Sequence, residues 1–187
     1  MSHDTTVMEY TAEDLIAHKL QRAGLLVAKP KFDQDGADLL ALLDVKDNAK
    51  FCRIQCKGRS LQRSPTSSVL VPKKYVSDGF VLFLFVETGD RDMTHLFCLL
   101  GREIRAHWTE RDDQFVLNLT ASKLTTELAE FIFDDGRIGE IIKTIINMNV
   151  SGEFHTMNHG YGELSFEPMV VSGGTFPASP TTTAVPP

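Results

Sequence analysis

Apolar residues recur along the chain with two different periods, and the switches between them sort it into elements. In TAEDLIAHKLQRAG, residues 11–24, Leu15, Ile16, Leu20 and Ala23 fall on one stripe at helical spacing. Thr11, three residues before Asp14, reads as a capping box and Gly24 as a stop, which predicts a helix of about three to four turns with Glu13 in its first turn. LLVAKPKF, residues 25–32, predicts a short strand ending near Pro30. ADLLALLD, VKDNAK and FCRIQCK, residues 37–57, read as strand, turn and returning strand, a hairpin. GRSLQRSPTSS, residues 58–68, has no periodicity and predicts an exposed loop. FVLFLFVE, residues 80–87, is the most apolar run and suits a central strand covered on both faces.

Beyond it, THLFCLLG predicts another strand, REIRAHWTE a short helix or turn, and QFVLNLT a strand with one wet face. KLTTELAEFIF, residues 123–133, and IGEIIKTIINMN, residues 138–149, predict two helices joined by DDGR. The composition changes at Ser151. Residues 151–174 suggest a late hairpin or docked arm, and the Pro/Thr-rich residues 175–187 have too little apolar content to order themselves. A single α/β domain over residues 1–150 follows, since 187 residues with 42% hydrophobic content fill one core.

Charge and cysteine usage narrow the picture. A net charge of -6 excludes a chain that coats nucleic acid through bulk charge, so any such contact must be local. Cys52, Cys56 and Cys98 form no disulfide framework or zinc spacing and read as reduced thiols. No basic-then-apolar leader opens the sequence and no run reaches membrane-spanning length, so the expectation is a soluble cytoplasmic protein.

The anomaly lies in the hairpin. Asp38 stands in one apolar run, and Gln55 and Lys57 stand two apart in the next, where packing supplies no reason for a carboxylate, an amide and an ammonium. Strand alternation puts Phe51, Arg53, Gln55 and Lys57 on one face of FCRIQCK and Cys52, Ile54 and Cys56 on the other. Gln55 and Lys57 then converge on Asp38 across the hairpin. Two hard oxygens with a cation beside them suit Mg²⁺, which takes one or two carboxylates and keeps its waters, and suit phosphodiester hydrolysis, where the metal polarises phosphoryl oxygens and a lysine orients the attacking water. Each residue also has a structural reading: Asp38 as a turn cap, Lys57 as the polar end of a strand, Glu13 as a complement to the helix dipole. Glu9, four residues earlier, rivals Glu13. DQDGAD, from Asp33, places its glycine wrongly for a calcium loop, and His155 and His159 lack the neighbouring glutamate of a zinc peptidase.

A helix carrying Glu13, then Gly36-Ala37-Asp38, then Gln55-Cys56-Lys57, then a very apolar strand resembles the PD-(D/E)xK nuclease superfamily. It looks most like Mrr-type restriction endonucleases and Holliday-junction-resolvase-like proteins, some of which carry Gln-x-Lys in place of the usual acid-x-Lys. The resemblance spans roughly residues 9–87. It implies a restriction-endonuclease-like α/β fold: a helix, a mixed sheet whose early strands form the hairpin, and a helix that returns to the sheet. It also implies a Mg²⁺-dependent DNA endonuclease, with Mn²⁺ as a substitute metal. Asp38, Gln55 and the Cys56 backbone carbonyl would hold the metal, Lys57 would be the catalytic lysine, and Glu13 would complete the site through a metal-bound water. Arg59, Arg63, Lys73 and Lys74 would supply a local basic rim for DNA. Cutting a duplex with one site per chain would call for a homodimer. The alternatives are a catalytically inactive nuclease-like module that binds nucleic acid or a protein, and an interaction domain in which the motif is accidental.

Overall fold

Phe80–Glu87 does occupy the interior of a sheet, and the rest of the fold is arranged around covering its two faces. The computed structural model describes residues 3–31, 36–45, 48–62, 64–89 and 93–147. The expected arm at 151–174 and tail at 175–187 lie outside the described residues. In chain order the elements are helix α1 (His3–Arg22), strands β1 (Leu26–Ala28), β2 (Leu39–Val45), β3 (Asn48–Ser60) and β4 (Thr66–Pro72), and a 3-10 turn at Lys73–Tyr75. Strands β5 (Phe80–Glu87) and β6 (Thr94–Leu100), helix α2 (Gly101–His107), and strands β7 (Thr109–Arg111) and β8 (Gln114–Thr120) follow. Helix α3 (Ala121–Thr125), a second 3-10 turn at Ala129–Phe131 and helix α4 (Asp135–Asn147) complete the series.

The fold is mixed α/β. A five-stranded mixed sheet has the order β1-β2-β3-β5-β6, with β3 and β5 parallel and the other pairs antiparallel. A three-stranded antiparallel sheet, β4-β8-β7, forms a further layer. Because β5 alternates, Val81, Phe83 and Phe85 pack with Ile16 and Leu20 of α1 and Ile141 and Ile145 of α4. Phe80, Leu82, Leu84 and Val86 pack instead with Val69 and Val71 of β4 and Phe115, Leu117 and Leu119 of β8. A strand covered on both faces needs apolar residues at every position, which is what FVLFLFV supplies. The returning helix is α4, and the crossover between parallel β3 and β5 is made by β4 and the first 3-10 turn.

Several boundaries differ from expectation. Helix α1 begins at His3, so Thr11 is interior to it and caps nothing. A Thr-x-x-Asp pattern marks an end only where the preceding backbone leaves the helix, and His3–Tyr10 contains no Pro or Gly to force that. Glu13 therefore sits about three turns into the helix, away from the dipole's positive end. The buried stripe is Ala12, Ile16 and Leu20, while Leu15 is 39% exposed. Gly24 does end the helix, at φ 87°, a conformation that strains any residue with a Cβ.

The expected loop at 58–68 is largely strand: β3 continues to Ser60, paired with Glu87 of β5, and β4 begins at Thr66, paired with Thr120. Partner strands supply the backbone hydrogen bonds that the local Ser/Arg/Gly composition does not advertise. KLTTELAEFIF is not one helix. The hydroxyls of Thr125 and Thr126 both donate to Ser122 O, side-chain bonds that compete with helix continuation, and Phe131 reaches the core from a 3-10 turn instead.

Candidate functional site

Strand β2 starts beside the middle of β3, at the end of the hairpin away from its turn, and Asp38 lies just before that start. The hairpin register runs out at the pair of Leu39 with Ile54, and Asp38 is the residue just outside it. The Asp38 N–H donates to Ile54 O at 2.8 Å, one position off that register. Beyond it the Cys56 N–H has no β2 residue to meet, and Asp38 Oδ2 accepts from it at 2.6 Å. N–H and C=O of one strand residue point to the same side, so the Cys56 carbonyl faces the Asp38 side as well.

The alternation expected of β3 is present. Cys52, Ile54 and Cys56 are buried in the core that α1 and α4 cover. Arg53, Gln55, Lys57 and Arg59 share the opposite face, at the margin of the second sheet. Arg53 Nη2 donates to Tyr75 O at 3.2 Å and Ser77 Oγ at 3.1 Å, and Arg59 Nε donates to Ser68 O at 3.0 Å. Gln55 and Lys57 stand between these two anchored arginines. Lys57 is half-buried, whereas Gln55 is 4% exposed, and its Oε1 has no hydrogen-bond partner among the described residues. A buried amide oxygen without a donor is costly and calls for water, a cation or a ligand group.

Gly36 permits this packing. Its φ is 68°, and a Cβ there would lie 2.5 Å from the Tyr75 ring and 3.0 Å from Gln55 Nε2. The Tyr75 contact could not have been read from the sequence; the glycine beside the aspartate was the only signal.

Glu13 is 8% exposed and forms an ion pair with Lys29, whose ammonium also lies 4.9 Å from the Tyr10 ring centroid. The hydrogen bond to Glu13 raises Lys29 above its ordinary value against the opposing effect of burial. Lys29 was missed by sequence reading, since a lysine before a proline at a strand end carries no signal of its own. The Glu9 side chain and Asp35 lie outside what is described.

The basic residues are spread out. Arg59 meets β4 near its start, whereas Lys73 and Lys74 lie in the 3-10 turn beyond its end. Lys73 forms an ion pair with Glu110, and Lys74 lies 5.1 Å from the Tyr75 ring centroid. Arg63 lies outside the described residues.

The donors fit a hard divalent cation: one carboxylate, one buried amide oxygen lacking a partner, and a backbone carbonyl on the same side. Among the described residues no group of three or more His, Cys, Asp and Glu side chains gathers into a metal cluster. The thiols take no part: all three are free and buried, and burial pushes Cys52 up to about 12 and Cys98 up as well. No described helix is long and apolar enough to cross a membrane.

No protein-family model matches the chain, and no curated protein matches it. Among solved structures it is similar to a Holliday junction resolvase from the archaeal hyperthermophile Archaeoglobus fulgidus, with a TM-score of 0.37 and 11% identity over 67% of this chain and 98% of the resolvase. A likeness of that size leaves the roles of individual residues to be read from their own geometry.

Proposed function

We propose that the chain is a divalent-metal-dependent nuclease of the PD-(D/E)xK type acting on DNA, with Asp38, Gln55 and Lys57 at its centre. The observation that carries this reading is the buried Gln55 Oε1, which has no hydrogen-bond partner among the described residues and belongs to the residue before Cys56, whose N–H is bound by the Asp38 carboxylate. In this reading Asp38, Gln55 and the Cys56 carbonyl would hold Mg²⁺ or Mn²⁺, which would supply Lewis-acid polarisation of a phosphate oxygen. Lys57, on the face of Gln55, orients the attacking water and offsets charge that develops on the phosphate. Asp38 also fixes the Cys56 backbone through its 2.6 Å bond, which keeps the metal-binding edge of β3 in place. Glu13 is held by Lys29, so it joins the site only when that ion pair opens. DNA as the substrate, the basic residues Arg59, Arg63, Lys73 and Lys74 as its contacts, a cytoplasmic location and a homodimer for duplex cutting follow from the sequence resemblance.

One observation favours a second reading, a catalytically silent module that binds nucleic acid. With Glu13 paired to Lys29, Asp38 stands before β2 without a cluster of three or more His, Cys, Asp and Glu side chains around it among the described residues, a small negative charge for holding a divalent ion.

Plasmid nicking and cleavage of a branched DNA, with Mg²⁺ or Mn²⁺ binding followed by calorimetry, separate the two. Asp38→Ala is expected to abolish both cutting and metal binding. Lys57→Ala should abolish cutting and leave metal bound. Gln55→Glu should tighten metal binding and retain part of the activity. DNA binding without cutting or metal binding in the wild type supports the silent module, and no response to metal or DNA in any of the four proteins overturns both.

A further inference from the structure

The side-chain amide of Gln55 carries two unlike ends on one flat frame. Its oxygen can accept a hydrogen bond or hold a cation, its nitrogen can only donate, and a half-turn about the last torsion exchanges them. A role as a metal ligand therefore needs the amide held one way round. No hydrogen bond among the described residues does this at the oxygen end, where Oε1 is buried without a partner.

The neighbour that can tell the ends apart lies at the nitrogen. A Cβ on Gly36 would stand 2.5 and 2.7 Å from Cδ2 and Cε2 of Tyr75 and 3.0 Å from Gln55 Nε2, so the ring and the amide nitrogen meet over the bare Cα of one glycine. The ring is itself held in place. Tyr75 ends the 3-10 turn, packs against the core that β4 and β8 share with β5, and accepts through its carbonyl from Arg53 Nη2 at 3.2 Å. Arg53 stands two residues before Gln55 on the same face of β3, so one strand anchors the turn and presents the amide to it. The face of an aromatic ring is negative, which favours N–H groups beside it and disfavours a carbonyl oxygen.

Resting on the reading of Asp38, Gln55 and Lys57 as a metal site, we propose that Tyr75 is a positioning residue for that site. Its ring takes the nitrogen end of the Gln55 amide and so leaves the oxygen end for a divalent cation. Without the ring, the reversed amide, which points N–H donors where the cation would sit, becomes populated, and only the fraction with oxygen inward can bind. A carboxylate at the same position has two equal ends, so the ring would have nothing to choose between.

The test is a cycle of Mn²⁺ affinities measured by calorimetry on the full chain, beside nitrogen-proton correlation spectra of the metal-free protein. Tyr75→Leu, verified as folded by its thermal melt, should weaken Mn²⁺ binding about three- to tenfold in the wild-type background and less than about twofold beside Gln55→Glu. Tyr75→Phe keeps the ring and should bind as the wild type does. In the wild-type spectra the Gln55 side-chain N–H pair, identified by its loss in Gln55→Glu, should show an upfield ring-current shift and a nuclear Overhauser contact to the Tyr75 ring. That measurement stands even if Tyr75→Leu does not fold. Equal weakening in both backgrounds would make Tyr75 a packing residue only and overturn the proposal, as would no weakening in either, or an N–H pair with neither shift nor contact. Any of these results in a chain that binds Mn²⁺ overturns the positioning role alone, whereas a wild type that binds no Mn²⁺ overturns the metal site and the positioning role together.

Discussion

Alternate residues of β3 face two environments built on different principles. On the side of α1 and α4, Cys52, Ile54 and Cys56 are all but inaccessible to water and belong to one apolar cluster. On the other, Arg53, Gln55, Lys57 and Arg59 form a polar row at the margin of the second sheet, two of them tied to backbone carbonyls and one, Gln55, left with an orphan oxygen. The same backbone serves both. The first face contributes stability through burial, and the second gives some of it up to hold polar groups in fixed positions, which is the signature of a site and not of a core.

The largest effect that tests this contrast is on thiol reactivity. Burial and the raised Cys52 value near 12 mean that a thiol reagent at pH 8 reaches the cysteines only through opening of the fold. Labelling of the native chain should be slower than that of the denatured chain by about three orders of magnitude or more, read by mass spectrometry. Fast labelling of Cys52 or Cys56 would show that this face is not closed.

Next in size is Ile54→Ala. It opens a cavity between α1 and β3 and should cost about 2–5 kcal/mol in a urea melt. A loss well below 1 kcal/mol would remove the distinction between the faces.

A smaller effect is expected where the helix side carries its one buried acid. Lys29→Met leaves the Glu13 carboxylate without its partner and should lower stability at pH 7 by about 1 kcal/mol. Because the hydrogen bond to Glu13 raises the folded-state value of Lys29, this contribution is fully present below the unfolded lysine value and is lost as the pH rises through the higher, folded one. The difference between wild type and variant should therefore narrow only in the alkaline range above about 10.4. A difference unchanged into that range would mean that the pair contributes nothing to stability.

The smallest change, and the most informative in sign, is Gln55→Leu. It removes a buried amide oxygen that has no partner among the described residues and keeps a similar volume, so stability should stay level or rise by up to about 1 kcal/mol in a melt. A marked loss would show that Gln55 is a structural residue with a partner of its own.

How much of this was legible beforehand depends on whether a feature is written in local pattern or in long-range pairing. The period-two alternation of FCRIQCK told which side chains share a face, and the unbroken apolar run at 80–87 told that β5 is covered twice; both hold because strand geometry assigns faces by parity alone. Gly24 marked the end of α1 because only its backbone tolerates that turn. The start of α1, the conversion of Gly58–Ser60 and Thr66–Ser68 to strand, and the breaking of the helix expected at 123–133 were decided by partners distant in the chain or by side-chain bonds to backbone. The candidate site divides in the same way. Asp38, Gln55 and Lys57 stood out as polar residues within apolar strands, which a sequence shows directly. The bond from the Cys56 N–H to the Asp38 carboxylate, the Tyr75 ring packed over Gly36 and the capture of Glu13 by Lys29 exist only once β1, β2, β3 and the turn after β4 are assembled, because each is a contact between segments whose separation the chain's local chemistry does not encode.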